Sequence, residues 1–181
     1  MGVCHRGYAV GVAPVYLGHG ASGGPETMRP WVEGLRDRGF DARTLALPRR
    51  RAEDAVPALL AQVDPTGPVV VGGHSFGGRV ASLAVAGSLA TRAAALVCLS
   101  YPLHPPGRTE NWDARTAHWA RIGCPVLLLS GESDPFARLD LLRGAVRRLP
   151  QATLVTYPSV GHGLRPVMDD ALERIAAFLV S

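Results

Sequence analysis

Short runs rich in Val and Leu alternate with longer stretches whose apolar residues recur every three or four positions. The first run, residues 12–17, predicts a strand. Met28, Trp31 and Leu35 then share one face of a helix predicted over 26–38, with Pro25 near its first turn and Gly39 at its end. Residues 41–47 read as a second strand, 53–63 as a second helix, and Asp64-Pro65-Thr66-Gly67 as a turn. A bare apolar run, 68–72, is a third strand, followed by a helical stretch over 78–90. A fourth strand at 95–99 leads into a proline-rich loop, 101–107, and a short helix near 114–121. A fifth strand covers 125–129, and the helix over 138–149 carries Leu139, Leu142, Val146 and Leu149 in register. The sixth strand is 152–157, and the last helix, 168–179, has Met168, Leu172, Ile175 and Leu179 on one side.

This alternation predicts an α/β chain. Uninterrupted apolar strands suit a mostly parallel sheet of about six strands, covered by helices on both faces. Right-handed crossovers bring the loops after the strands to one edge of that sheet. The loops of chemical interest are all of this kind: His19-Gly20-Ala21, Arg49-Arg50-Arg51, Ser75, Tyr101-Pro102-Leu103-His104, Asp134 and His162. Residues 1–181 are expected to form one domain, with no internal repeat or linker.

Composition narrows the function classes. Hydrophobic residues make up 47% and charged ones 19%, a balance of a folded chain and not of a disordered one. All 19 basic residues are Arg, a uniformity that looks like codon usage; they are dispersed and lack a base-stacking motif, so no nucleic-acid partner is expected. Cys4, Cys98 and Cys124 are scattered, which suggests neither a disulfide framework nor a metal site, and Cys98 and Cys124 read as buried thiols. No His/Cys/Asp cluster has metal-ligand spacing, and no cofactor is expected. Neither a leader peptide nor a membrane-spanning stretch is read, so the expected setting is cytoplasmic, away from membranes.

Gly73-His74-Ser75-Phe76-Gly77 lies between the third strand and the helix after it. The pattern G-x-S-x-G in that context reads as a nucleophile elbow, a strained turn that holds a serine hydroxyl above the sheet. The plainer reading is a glycine-rich strand-to-helix turn. Serine needs a base to take its proton, and imidazole is the usual one. A carboxylate then fixes the tautomer of that ring and steadies the imidazolium. His162, between two glycines after the last strand, is the candidate base. Asp134 is the candidate acid, with Glu132 as its competitor; a turn or capping aspartate is the plainer reading. The oxyanion of an acyl-transfer step needs two donors, assigned to the backbone N–H groups of Phe76 and Ala21. His19 is then loop-orienting, His74 packs or hydrogen-bonds under the elbow, and His5 and His118 read as surface residues.

These stretches resemble the α/β-hydrolase superfamily, in which serine, acid and histidine follow in that chain order. Within it the chain is similar to a dienelactone-hydrolase-like group that includes the testis-expressed hydrolase-like proteins. The resemblance rests on the His19-Gly20-Ala21 loop, the segment from Gly73 to Ala81, Tyr101-Pro102-Leu103-His104-Pro105-Pro106-Gly107, Ser133-Asp134-Pro135-Phe136 and Gly161-His162. It implies an α/β-hydrolase fold and cleavage of an ester, thioester or related acyl bond of a small molecule through Ser75, His162 and Asp134. Alternatives are the same triad used for acyl transfer, cyclisation or elimination in biosynthesis, and a non-catalytic scaffold. The chain departs from the wider superfamily in two respects. The usual two leading strands are missing or reduced to part of residues 1–11, which leaves a sheet edge open to pairing with a second chain as a homodimer. The connection between the fourth and fifth strands is short where many relatives insert a lid. The site is therefore expected to be open, walled by Tyr101, Leu103, Trp112, Trp119, Phe136 and Leu164. Arg50, in the arginine run, is a candidate for binding a substrate carboxylate or phosphate, with a solvated loop as the plainer reading.

Overall fold

A computed structural model describes residues 13–181. Six strands form one parallel sheet: β1 (Val15–Gly18), β2 (Ala42–Leu45), β3 (Val69–His74), β4 (Ala93–Leu99), β5 (Val126–Gly131) and β6 (Ala152–Tyr157). Their order across the sheet is β2-β1-β3-β4-β5-β6. Six α-helices accompany them: α1 (Arg29–Arg36), α2 (Ala52–Leu60), α3 (Phe76–Val85), α4 (Trp112–Thr116), α5 (Leu139–Val146) and α6 (Met168–Val180). This is the α/β-hydrolase fold.

The chain steps outward from β1 to β2, then returns to the other side of β1 as β3 and continues in that direction. With crossovers of constant hand, this reversal switches the helices from one face to the other. One buried cluster joins Trp31 and Leu35 of the crossover helix α1, together with Leu172 and Ile175 of the terminal helix α6, to Val70, Val97 and Leu127 of the sheet. The other joins α2, α3 and α5 to Val69, Val71, Leu96, Cys98 and Leu128. Successive residues of the inner strands β1, β3, β4 and β5 thus alternate between two cores, which is why these strands carry nearly unbroken apolar runs, while the edge strands β2 and β6 include exposed polar residues such as Arg43 and Thr153. The reversal also opens a crevice at the carboxyl ends of β1 and β3, where the glycine-rich loop meets the elbow.

Several element ends differ from the sequence reading. The first helix begins as a single 3-10 turn, Pro25–Met28, before α1. Pro30 then falls in the first turn of α1, where no N–H is needed. The expected helix near 114–121 is broken into α4 and a 3-10 turn, Trp119–Arg121. Strand β3 runs on to His74, and α3 starts at Phe76, so a single residue makes the turn between them. Residues 1–11, Cys4 and His5 among them, and Val12 of the first predicted strand lie outside the described residues. Among the described residues β2 and β6 are the sheet edges. No helix among them is long and apolar enough to cross a membrane.

Candidate active site

Ser75 occupies the turn with φ 50° and ψ −109°, a conformation that costs a non-glycine residue on the order of 1–3 kcal/mol. The crossing of β1 beneath it explains the flanking glycines. A Cβ on Gly73 (φ +149°) would stand 2.1 Å from the Gly18 carbonyl oxygen, and one on Gly77 would stand 2.2 Å from the same atom. Phe76 is the first residue of α3, so its N–H has no carbonyl one turn back to bond. The loop after β1 comes up beside the serine: a Cβ on Gly20 would be 4.0 Å from the Ser75 Cβ. That loop is turned by a hydrogen bond from Gly23 N–H to the Gly20 carbonyl (3.2 Å), and Ala21 is exposed at its tip.

Asp134 and His162 are brought together from loops 28 residues apart in sequence. His162 Nδ1–H donates to Asp134 Oδ2 at 2.8 Å, and Phe136, two residues after the acid, donates its N–H to Oδ1 at 2.8 Å. The Asp134 side chain is sealed from solvent, so both oxygens find partners inside the protein. Close packing of the two loops makes this possible. Ser133 N–H bonds the Val160 carbonyl at 2.9 Å, and a Cβ on Gly131 would lie 2.1 Å from that same oxygen. Glu132, the competing acid, is turned away and accepts the Thr156 hydroxyl at 2.8 Å. The Phe136 ring lies 4.5 Å, centroid to centroid, from that of His162. Among the described residues no hydrogen bond joins the Ser75 hydroxyl to His162. The two are linked through the neighbour of the serine: His74 Nε2–H donates to the His162 carbonyl at 3.0 Å.

Three histidines tie loops together at this edge. His19, buried, gives Nδ1–H to the Gly20 carbonyl (2.8 Å) and accepts the Leu47 N–H at Nε2 (3.1 Å), joining the loops after β1 and β2. His104 repeats the pattern after β4 and β5, with Nδ1–H to the Pro105 carbonyl (2.9 Å) and Nε2 accepting the Arg138 N–H (3.1 Å). His74 joins the ends of β3 and β6. The sequence reading gave His104 no role; its signal was a histidine inside a proline-rich loop, a segment with few other backbone donors to hold it.

The expected substrate walls divide. Tyr101, Leu103 and Trp119 are sealed in the core at 1%, 0% and 1% exposure and cannot wall an open site. The cause is the backbone after β4: Ser100 takes φ 50°, and Tyr101 extends inward to give its O–H to the Arg115 carbonyl at 3.1 Å. Trp112 is partly buried beneath the Arg148 guanidinium, 4.4 Å from its ring centroid. Phe136 packs against the His162 ring. Leu164 is as buried as Tyr101 and Trp119, at 1% exposure, and packs with Met28, Trp31 and Met168 behind a cavity of about 260 Å³ that His74 also lines, so it too is not a wall of an open site. A wider hollow of about 720 Å³ runs from the His104 loop to Arg138 and touches Asp134, but neither Ser75 nor His162 lines it. Arg50 is exposed. His118, expected at the surface, is instead buried, with Nε2 2.8 Å from the Ser82 hydroxyl. Its pKa is pushed down to about 4, by burial first and then by Arg79 and Arg121. Cys98 and Cys124 are buried thiols, and burial raises the pKa of both.

Solved structures of low sequence identity share this fold. A monoacylglycerol lipase of Paleococcus ferrophilus superposes with a TM-score of 0.79 at 16% identity, over 93% of this chain and 96% of that one. The Est1E protein of Butyrivibrio proteoclasticus, in a complex with ferulic acid, gives 0.76 at 17% identity, over 93% and 88%. A chondramide synthase of Chondromyces crocatus is 33% identical over 120 residues, 61% of this chain; the chain spans only 3% of that protein's length. The family model described as alpha/beta hydrolase domain matches residues 34–176, which hold five of the six strands and the loops of Ser75, Asp134 and His162, and the chain therefore belongs to that family.

Proposed function

We propose that the protein is a serine hydrolase that cleaves an ester, thioester or related acyl bond of a small molecule through an acyl-enzyme. Ser75 is the nucleophile, His162 the base and Asp134 the group that orients it. The observation that carries this reading is the His162 Nδ1–H to Asp134 Oδ2 bond of 2.8 Å, made by a sealed carboxylate. That bond commits the ring to the tautomer whose Nε2 is bare and able to accept a proton. Attack by the Ser75 oxygen on the acyl carbonyl moves the serine proton to His162 Nε2. The imidazolium returns it to the leaving oxygen or sulfur, and water then repeats the sequence in reverse roles. The amides of Phe76 and Ala21 stabilise the oxyanion; they come from the two loops that meet over the Gly18–Gly77 crossing. Phe136 remains as a candidate substrate contact, and Arg50 as a candidate for an anionic group.

The test is covalent. A fluorophosphonate probe labels Ser75 in the wild type and not in Ser75→Ala, and the same substitution lowers kcat on p-nitrophenyl esters or acyl thioesters by about 10⁴-fold or more. Absence of labelling in a folded wild type would leave a binding or scaffold role. The chondramide synthase match favours a second reading, acyl transfer in a biosynthetic assembly. Supplying an amine or thiol beside water and identifying the product by mass spectrometry separates the two.

A further inference from the structure

A base at the tip of a loop needs its backbone fixed, since a displacement of about 1 Å can cost on the order of 10²-fold in rate. The loop that carries His162 is held at two carbonyls. Val160 is bonded by Ser133 N–H from the acid loop at 2.9 Å, and His162 itself is bonded by His74 Nε2–H at 3.0 Å. The second tie is a side chain from the strand that ends at the nucleophile. In β3, Val69 and Val71 face one core and Val70 the other, so His74 continues the face of Val70, toward α1 and α6. The loops after β1 and β6 both pass on that side. A Cβ on Gly20 would lie 3.0 Å from His74 Nδ1, and the His74 and His162 ring centroids are 5.0 Å apart. One imidazole thus touches the oxyanion loop, the elbow and the base loop.

We propose that His74 is a positioning residue. By giving Nε2–H to the His162 carbonyl it sets how the base loop stands over the elbow, and so where the His162 ring meets Ser75. The proposal rests on the hydrolase reading above for the meaning of that meeting, though the contact itself can be probed separately. A carbonyl only accepts, so His74 carries its proton on Nε2 and leaves Nδ1 bare toward Gly20. Burial favours this neutral form by lowering the His74 pKa, against the opposing pull of the His162 carbonyl. His74 does not touch the reacting atoms; it acts through His162.

The test compares His74→Phe, which keeps a flat ring and removes the donor, with His74→Gln, whose amide N–H reaches about as far as Nε2. Should His74→Phe not fold, His74→Asn, too short to reach the carbonyl, takes its place with the same expectations. Each full-length variant is examined for Tm, for kcat and KM on p-nitrophenyl acetate, and for the low-field proton resonance of the His162–Asp134 hydrogen bond. His74→Phe is expected to lower kcat about 100-fold with KM within about threefold. It is also expected to shift or broaden the resonance, while His74→Gln recovers kcat to within about tenfold of wild type and restores the resonance. Unchanged kcat and resonance in folded His74→Phe overturns the proposal. So does an equal loss in both variants at equal Tm. A wild type without turnover removes the hydrolase reading alone: the resonance then decides, supporting the tie if it is lost in His74→Phe and kept in His74→Gln, and overturning it if neither variant moves it.

Discussion

At the residue scale, the elbow depends on three backbones passing where no side chain fits. Gly77→Ala would put a Cβ 2.2 Å from the Gly18 carbonyl oxygen, and that atom belongs to a strand, not to a side chain that could swing aside. The expected cost is about 3 kcal/mol or more, a fall in Tm on the order of 6–12 °C. Thermal unfolding of the variant checks this; an unchanged Tm would mean that β1 and α3 are further apart than described. His118 bears a different prediction. Its folded pKa, about 4, lies below the ordinary histidine value, so the unfolded chain takes up the proton first as pH falls. Stability from this group is complete above about pH 6.5 and declines toward pH 4, by at most about 1.4 kcal/mol per pH unit. Urea unfolding at pH 7 and pH 5 should show that decline, and His118→Gln, which can still donate to Ser82, should flatten it.

At the scale of elements, α1 and α6 approach closely at Gly34. A Cβ there would lie 2.4 Å from Leu172 Cδ1, and because Leu172 is itself buried, moving that methyl group disturbs its neighbours in the core. Alanine gains about 1 kcal/mol over glycine within a helix, but overpacking costs about 1–3 kcal/mol. Gly34→Ala should therefore be neutral to destabilising, and adding Leu172→Ala should recover part of the loss, seen as a coupling in a double-mutant cycle. The boundaries of α1 and α4 were less legible than their existence. Met28, Trp31 and Leu35 announce a helical face, yet the pattern continues through the 3-10 turn before α1, because three residues per turn and 3.6 differ little over one turn. Around Trp112 and Trp119 the chain is pinned by tertiary bonds, such as Tyr101 to the Arg115 carbonyl, and periodicity carries no record of them.

Across the whole molecule, two cores share one sheet, and neither strand face can be exposed without disturbing both. Trp31 reports on one core and Trp119 on the other. Denaturation followed by tryptophan fluorescence and by far-UV circular dichroism should give coincident transitions, as for one cooperative domain. Separate midpoints would argue for units that unfold independently. At the same scale the strand order places the chain reversal between β1 and β3, so the glycine-rich loop and the elbow face each other across one crevice.

What the sequence determined by itself was whatever is local and periodic. Alternating apolar runs specified the strands and their covering helices, most sharply for the inner four, because a strand buried on both faces needs an apolar residue at nearly every position. The glycines around Ser75 specified a turn that other residues cannot enter. Asp134 and His162 were legible as loop residues of the right chemistry. Their hydrogen bond, the turning away of Glu132, the burial of Tyr101, Leu103, Trp119, Leu164 and His118, the partners of His19 and His74, and the bracing by His104 were decided only by the tertiary structure. Which side chain reaches which carbonyl depends on the packing of strands distant in sequence, and composition and spacing along one chain do not encode that distance.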